Sequence, residues 1–228
     1  MIDWYKYNKK ILYPGKELIQ ETLHHNTRVG KLTHKIPMQQ HHKIRNPMLS
    51  RYQLQEGYAT NNIFYKLPSF EGYNYAQGLS GIDLIYQAGY EMNTKSNGPT
   101  AMLDFFRAEG VPISLTRNKY KMQKSRTWNK YMRRYWVKDR FIEPHHPEQN
   151  SFEQDMKYWK SDMTKFMIEY DVDPKGWFKL MQHTTDVHNH QANKRDEDKP
   201  PPLTAEKGET GDITILTTYN FNEDVLYQ

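Results

Sequence analysis

Residues 152–170 carry seven large apolar side chains, Phe152, Met156, Trp159, Met163, Phe166, Met167 and Tyr170, at spacings of 4, 3, 4, 3, 1 and 3. That is the period of an α-helix, and it predicts one apolar face about five turns long. Ser151 and Gln154 form a capping-box pattern at its start, and Asp173-Pro174 lies just beyond its end. Such a face must lie against apolar surface, and the chain has little aliphatic material to offer. Leu, Ile, Val and Phe together make up 43 of 228 residues. The shortfall is filled by 17 Tyr, 11 Met and 5 Trp, which carry large contact area with a polar or soft handle and are enriched at interfaces. The pattern reads as a chain that buries itself partly against partners.

Other elements are shorter. "KELIQETLH" (16–24) predicts a helix with Leu18, Ile19, Thr22 and Leu23 on one side. Residues 25–80 are punctuated by Pro37, Pro47, Pro68, Gly72 and Gly78 and read as an extended arm. Ser80 is placed as the cap of a short helix through "GIDLIYQAGY", and Pro99 at the start of another, "PTAMLDFFRAE", closed by Gly110. "DITILTTY" (212–219) resembles a strand. The expected fold class is α+β, low in regular structure, with short helices, a small β element and long extended arms. Its expected parts are an N-terminal arm (1–127), a small core (128–186) and a polar extended tail (187–228).

Charge is polarised along the chain. Residues 1–141 hold 23 Lys/Arg against 10 Asp/Glu, and residues 142–228 hold 9 against 17. Residues 117–140 alone contain ten Lys/Arg and one acid, Asp139, interleaved with Tyr120, Trp128, Tyr131, Tyr135 and Trp136. Trp128, Tyr131, Met132 and Tyr135 suit one helix face, while aromatics also suit strands. Lys/Arg with interleaved aromatics is a nucleic-acid footprint, but the whole-chain charge of +5 is modest for such a binder. The expected contact is therefore an acidic protein surface or lipid headgroups, with nucleic acid disfavoured.

Catalytic signatures are missing. No Walker loop, dinucleotide fingerprint or G-x-S-x-G elbow is present, and the absence of Cys excludes thiol chemistry. The paired histidines, such as His145-His146 and His188/His190, lack metal-ligand spacing. We expect no catalytic residue, metal or cofactor. No apolar window is long enough for a membrane span, and no signal peptide is expected. In "VDPKGWFKLMQHTTD" (172–186) a helix through 174–184 puts Trp177, Leu180, Met181 and Thr184 on one face. His183 falls off that face, and Asp186 is expected in a turn just past the helix.

This segment resembles the signature of the alpha subcomplex subunit twelve family of NADH:ubiquinone oxidoreductase, respiratory complex I. The likeness rests on Val172, Pro174, Trp177, a basic residue at 179, Met181 and Thr185-Asp186, with "PPPLTAEK" (Pro200–Lys207) further on. "RYWV" (Arg134–Val137) and "NKY" (Asn129–Tyr131) resemble it more faintly. "DPKG" is one residue longer than the family's pattern, Met181 stands where Leu is usual, and residues 187–199 are inserted before the prolines. The resemblance implies a non-catalytic accessory subunit on the matrix side of the mitochondrial inner membrane, contacting the core iron–sulfur and other accessory subunits. The partner contacts it implies are Arg134, Trp136, Trp177, Met181, Thr185, Asp186, Pro202 and Leu203, with Trp136 and Trp177 as packing anchors. The alternatives are a structural subunit of another assembly, such as an axonemal microtubule inner protein or a mitochondrial ribosome subunit, and a His-dependent hydrolase or metal enzyme.

Overall fold

The computed structural model describes residues 15–26, 51–117, 125–142, 151–192, 199–212 and 214. The protein has an α+β fold built on a five-stranded mixed sheet. Strands β1 (Gly57–Phe64), β2 (Tyr75–Gly81), β3 (Gln87–Met92), β4 (Ser114–Arg117) and β5 (Lys138–Phe141) lie in the order β3-β2-β1-β4-β5. β1, β2 and β3 form an antiparallel meander, and β4 and β5 add parallel to β1. Six helices accompany them among the described residues: α1 (Lys16–His25), α2 (Gly98–Ala108), α3 (Arg126–Arg134), α4 (Ser151–Glu169), α5 (Trp177–His190) and α6 (Pro202–Lys207).

Strand pairing dictates the two faces. Side chains alternate along β1, so Ala59, Asn61 and Ile63 face one way and Tyr58, Thr60 and Asn62 the other. The first face carries a core of Ala59, Ile63 and Ala76 under Phe152, Trp159, Met163 and Phe166 of α4, with Trp177, Leu180 and Met181 of α5. The second carries Tyr58, Leu79 and Leu115 under Met102, Phe105 and Phe106 of α2, with Trp128 and Met132 of α3. Aromatic rings supply the volume that the scarce aliphatic residues do not. Tyr65 stacks on Trp177 at 5.4 Å, and Phe152 meets Trp159 edge-on at 6.3 Å.

Two glycines bring α4 and α5 close to the sheet. A Cβ at Gly78 would lie 2.3 Å from the Phe152 ring, and one at Gly89 would lie 2.7 Å from Met181 Cε. The missing side chains are therefore what seats both helices.

The apolar stripe of 152–170 forms the long helix α4, as its period dictates. The helices at 16–24 and 99–109 also form. Three segments depart from expectation. Residues 57–117, read as part of an extended arm, provide four of the five strands. Their polar residues pair inside the sheet, as when Gln77 donates to Thr60 Oγ1 and Thr60 donates to the Gly78 carbonyl. "GIDLIYQAGY" is not a helix but a turn and the start of β3. The Glu56 carboxylate accepts from the Asp83 and Leu84 amides (2.7 and 3.0 Å), and Ile85 adopts φ 55°. Ser80, expected as a cap, instead donates from β2 to Asp155 of α4 at 2.7 Å.

The third departure is at the end of α5, which runs on through Asp186 to His190 rather than ending in a turn. Its polar residues are used. Asn189 accepts from the Gln87 amide and donates to the Gln87 carbonyl, both at 2.8 Å, closing the exposed edge of β3. Asn26 of α1 donates to the His190 carbonyl at the helix end. "PLTAEK" is the helix α6 rather than an extended tail, with Pro202 at its first turn and Gly208 in the left-handed conformation after it. The arm at 27–50 and most of 212–219 lie outside the described residues.

Candidate functional site

Residues 125–140 of the basic block form a helix and a strand, and residues 118–124 lie outside the described residues. Ser125 caps α3 by accepting from the Trp128 amide, and the helix buries Trp128 and Met132. Beneath it lies Arg117, fully buried at the end of β4. Its guanidinium donates from Nε to Asp139 Oδ1 at 2.6 Å and makes a second, parallel contact from Nη2 to Asp139 Oδ2. It is also covered by the rings of Phe141 (4.3 Å) and Trp128 (4.9 Å). This one cation is structural: it ties β4, β5 and α3 together and engages the one acid of the block.

The other described cations of the block lie at the surface. Arg126, Lys130, Arg133 and Arg134 are exposed on the outer face of α3, at i, i+4, i+7 and i+8, and Lys138 and Arg140 are exposed on the edge strand β5. A hollow of about 590 Å³ lies among Arg126, Asn129, Lys130, Arg133 and Arg134. A second, of about 620 Å³, runs from Asn129 and Arg133 past Trp136 to Phe141. The two share Asn129 and Arg133.

Trp136 stands between helix and strand. The Val137 amide donates to the Met132 carbonyl (3.0 Å) and the Trp136 amide to the Arg133 carbonyl (3.3 Å), a Schellman ending for α3. The position after such a helix takes the left-handed conformation, and Trp136 has φ 58°. Glycine adopts it freely, whereas a side chain costs about 1–2 kcal/mol there. Trp136 recovers none of this by burial, being 74% exposed, whereas Trp128, Trp159 and Trp177 are buried. It is thus no packing anchor of the chain itself.

The other residues implied as partner contacts are placed differently. Trp177 and Met181 are wholly buried and serve the chain's own core. Thr185 is buried, its hydroxyl donating to the Met181 carbonyl at 2.7 Å, and Asp186 lies exposed on α5. Pro202 is buried and Leu203 packs against the second core as α6 docks. Arg134 and Trp136 are exposed. The structure therefore brings only these last two to one surface. His183 lies edge-on to Phe166 at 5.2 Å, and burial lowers its pKa to about 4.

Further polar groups lie within the sheet. Asn61, at the centre of β1, faces the α4 side, and burial raises the pKa values of Glu56 and of Glu206 on α6. Lys207 pairs with Glu109 at 2.9 Å, and Tyr86 donates to the same carboxylate. These contacts seat α6. Among the described residues no three His, Asp or Glu side chains come together as metal ligands. Phosphoryl transfer on two divalent ions needs such a carboxylate set. Reading the sequence missed Arg117 as the keystone, because nothing in a run of ten cations marks the one that is buried.

No family model and no curated protein matches the chain. Solved structures do. The chain is similar to a chain of a cryo-EM structure of the simian T-cell lymphotropic virus intasome in complex with PP2A regulatory subunit B56 gamma, with TM-score 0.53 and 11% identity. That match covers 76% of this chain and 61% of the other, so this chain spans about three fifths of its length. It is also similar to the HTLV-2 integrase catalytic core domain in complex with magnesium, with TM-score 0.52 and 12% identity, over 66% of this chain and 95% of that one. At these identities the likeness is one of fold: the sheet and its flanking helices are arranged as in viral integrase proteins.

Proposed function

We propose that the chain is a nucleic-acid-binding protein that holds a phosphate backbone on the outer face of α3. The observation that carries this reading is the row of exposed Arg126, Lys130, Arg133 and Arg134 on one helix face, with Asp139 beneath α3 engaged in its pair with Arg117; Lys138 and Arg140 alternate to the opposite side of the edge strand. The modest whole-chain charge weighs less once four cations are gathered on one helix face. No strand-cleaving chemistry is proposed, since the described residues do not assemble the carboxylates that it needs.

The test is fluorescence anisotropy with labelled single-stranded and duplex oligonucleotides, set beside anionic vesicles and an acidic protein as competitors. Oligonucleotide binding that weakens with salt, and weakens further in Arg133→Glu/Arg134→Glu, supports the reading. Capture by vesicles alone would refute it.

The accessory-subunit reading is the rival proposal. It rests on residues 172–207, of which Trp177 and Met181 are committed to the chain's own core. Its test is co-migration with NADH dehydrogenase activity on native gels. Recovery of the protein with no iron–sulfur partner would remove it.

A further inference from the structure

We propose that Trp136 is a stacking platform for an unpaired nucleobase, which makes single-stranded nucleic acid the preferred ligand of this face. The inference rests on the nucleic-acid reading above and adds to it a site and a ligand class. Three observations on the same few residues carry it.

The first is conformational. The Schellman ending of α3 calls for a left-handed residue, and a tryptophan with φ 58° occupies it. Backbone strain at a position whose side chain is 74% exposed points to a role outside the chain. The second is that the side chain is held outward by a rigid base. Met132 and Val137, on either side of the turn, are both buried in the second core. The ring is therefore presented by a fixed turn rather than a mobile loop, which limits the ordering cost of binding.

The third is the company it keeps. The hollow beside the indole is lined by Asn129, Met132, Arg133, Val137, Phe141 and Asp139, whose carboxylate is engaged by Arg117, a mixture of flat, apolar and hydrogen-bonding groups that suits a base. The hollow that shares Asn129 and Arg133 with it is lined by Arg126, Lys130 and Arg134, which suits phosphates. An aromatic face next to a cationic track is the arrangement by which proteins hold single strands, the bases stacking while the backbone follows the charge. A duplex keeps its bases stacked on each other and would meet only the cations.

The experiment measures affinity for a labelled oligothymidylate and for a duplex, together with Tm, in wild type, Trp136→Gly, Trp136→Phe and Arg133→Glu/Arg134→Glu. Trp136→Gly removes the ring and relieves the backbone, so Tm is expected unchanged or raised by a few degrees. Its single-strand affinity is expected to fall by about 5- to 100-fold, the range for loss of one stacked base, with duplex affinity changed less than twofold. Trp136→Phe keeps most of the single-strand affinity, and the double charge reversal weakens both ligands. Unchanged single-strand affinity in Trp136→Gly, or an equal loss for single strand and duplex, overturns the stacking role while the effect of charge reversal leaves the electrostatic reading standing. Failure of the wild type to bind either oligonucleotide overturns both.

Discussion

At the scale of single residues, the fold turns on a few polar side chains whose roles depend on burial. Arg117 is the clearest. Asp139→Asn leaves its guanidinium buried without a counter-charge, and the expected loss is about 3 kcal/mol in denaturant titration. Adding Arg117→Met to that variant removes the buried charge and should restore most of the loss; no recovery would show that the pair is not the source. His183 gives a pH signature. Its folded pKa of about 4 lies below the usual 6.5, so the unfolded chain takes up the proton first. Stability from this group is present above pH 6.5 and is lost as pH falls through 4, by about 2–3 kcal/mol in all. His183→Phe keeps an aromatic edge against Phe166, and its stability should fall less between pH 7 and pH 4 than that of the wild type. Neither residue could be ranked from sequence. Arg117 is one of ten cations in its block, and His183 falls off the Trp177 face of its helix, so nothing in the spacing marks it as packed against Phe166.

At the scale of elements, periodicity was legible and polarity misled. The stripe of α4 fixes that helix by its spacing alone, because seven large apolar groups in phase admit no other regular structure. The strands β1 to β3 were hidden because they carry Asn61, Asn62, Gln77, Gly78, Ser80 and Gln87, residues more common in loops. Part of this polarity is used inside the fold, where Gln77 donates to Thr60, Thr60 to the Gly78 carbonyl and Ser80 to Asp155, which only the tertiary structure reveals. The end of α5 hid for the same reason: "HNH" looks like a solvated tail, yet Asn189 is buried and completes the edge of β3. Asn189→Ala strands the Gln87 amide and carbonyl, and should cost about 2–3 kcal/mol. Hydrogen exchange at Gln87 should quicken in that variant; equal stability and protection would mean that water replaces the side chain without penalty.

At the scale of the whole molecule, the sheet separates two apolar cores, and the charge lies at one end of it, on α3 and the edge strand β5. The α+β class followed from the sequence, while the sheet order β3-β2-β1-β4-β5 did not, because parallel β4 and β5 are four residues each and carry no pattern of their own. Of the candidate surface, Arg134 and Trp136 were named from sequence, but the reason for Trp136, a strained and outward-held ring, is visible only in the fold. The central claim is that this surface binds nucleic acid through its phosphates. The most direct measurement is the dissociation constant for a single-stranded oligonucleotide across a salt series. With about four phosphates contacted by the α3 cations, the logarithm of affinity should fall with the logarithm of salt at a slope of about −3, roughly 50-fold between 50 and 200 mM. Arg133→Glu/Arg134→Glu should make that slope shallower by at least one unit. Absent binding at low salt, or binding indifferent to both salt and charge reversal, would contradict the account.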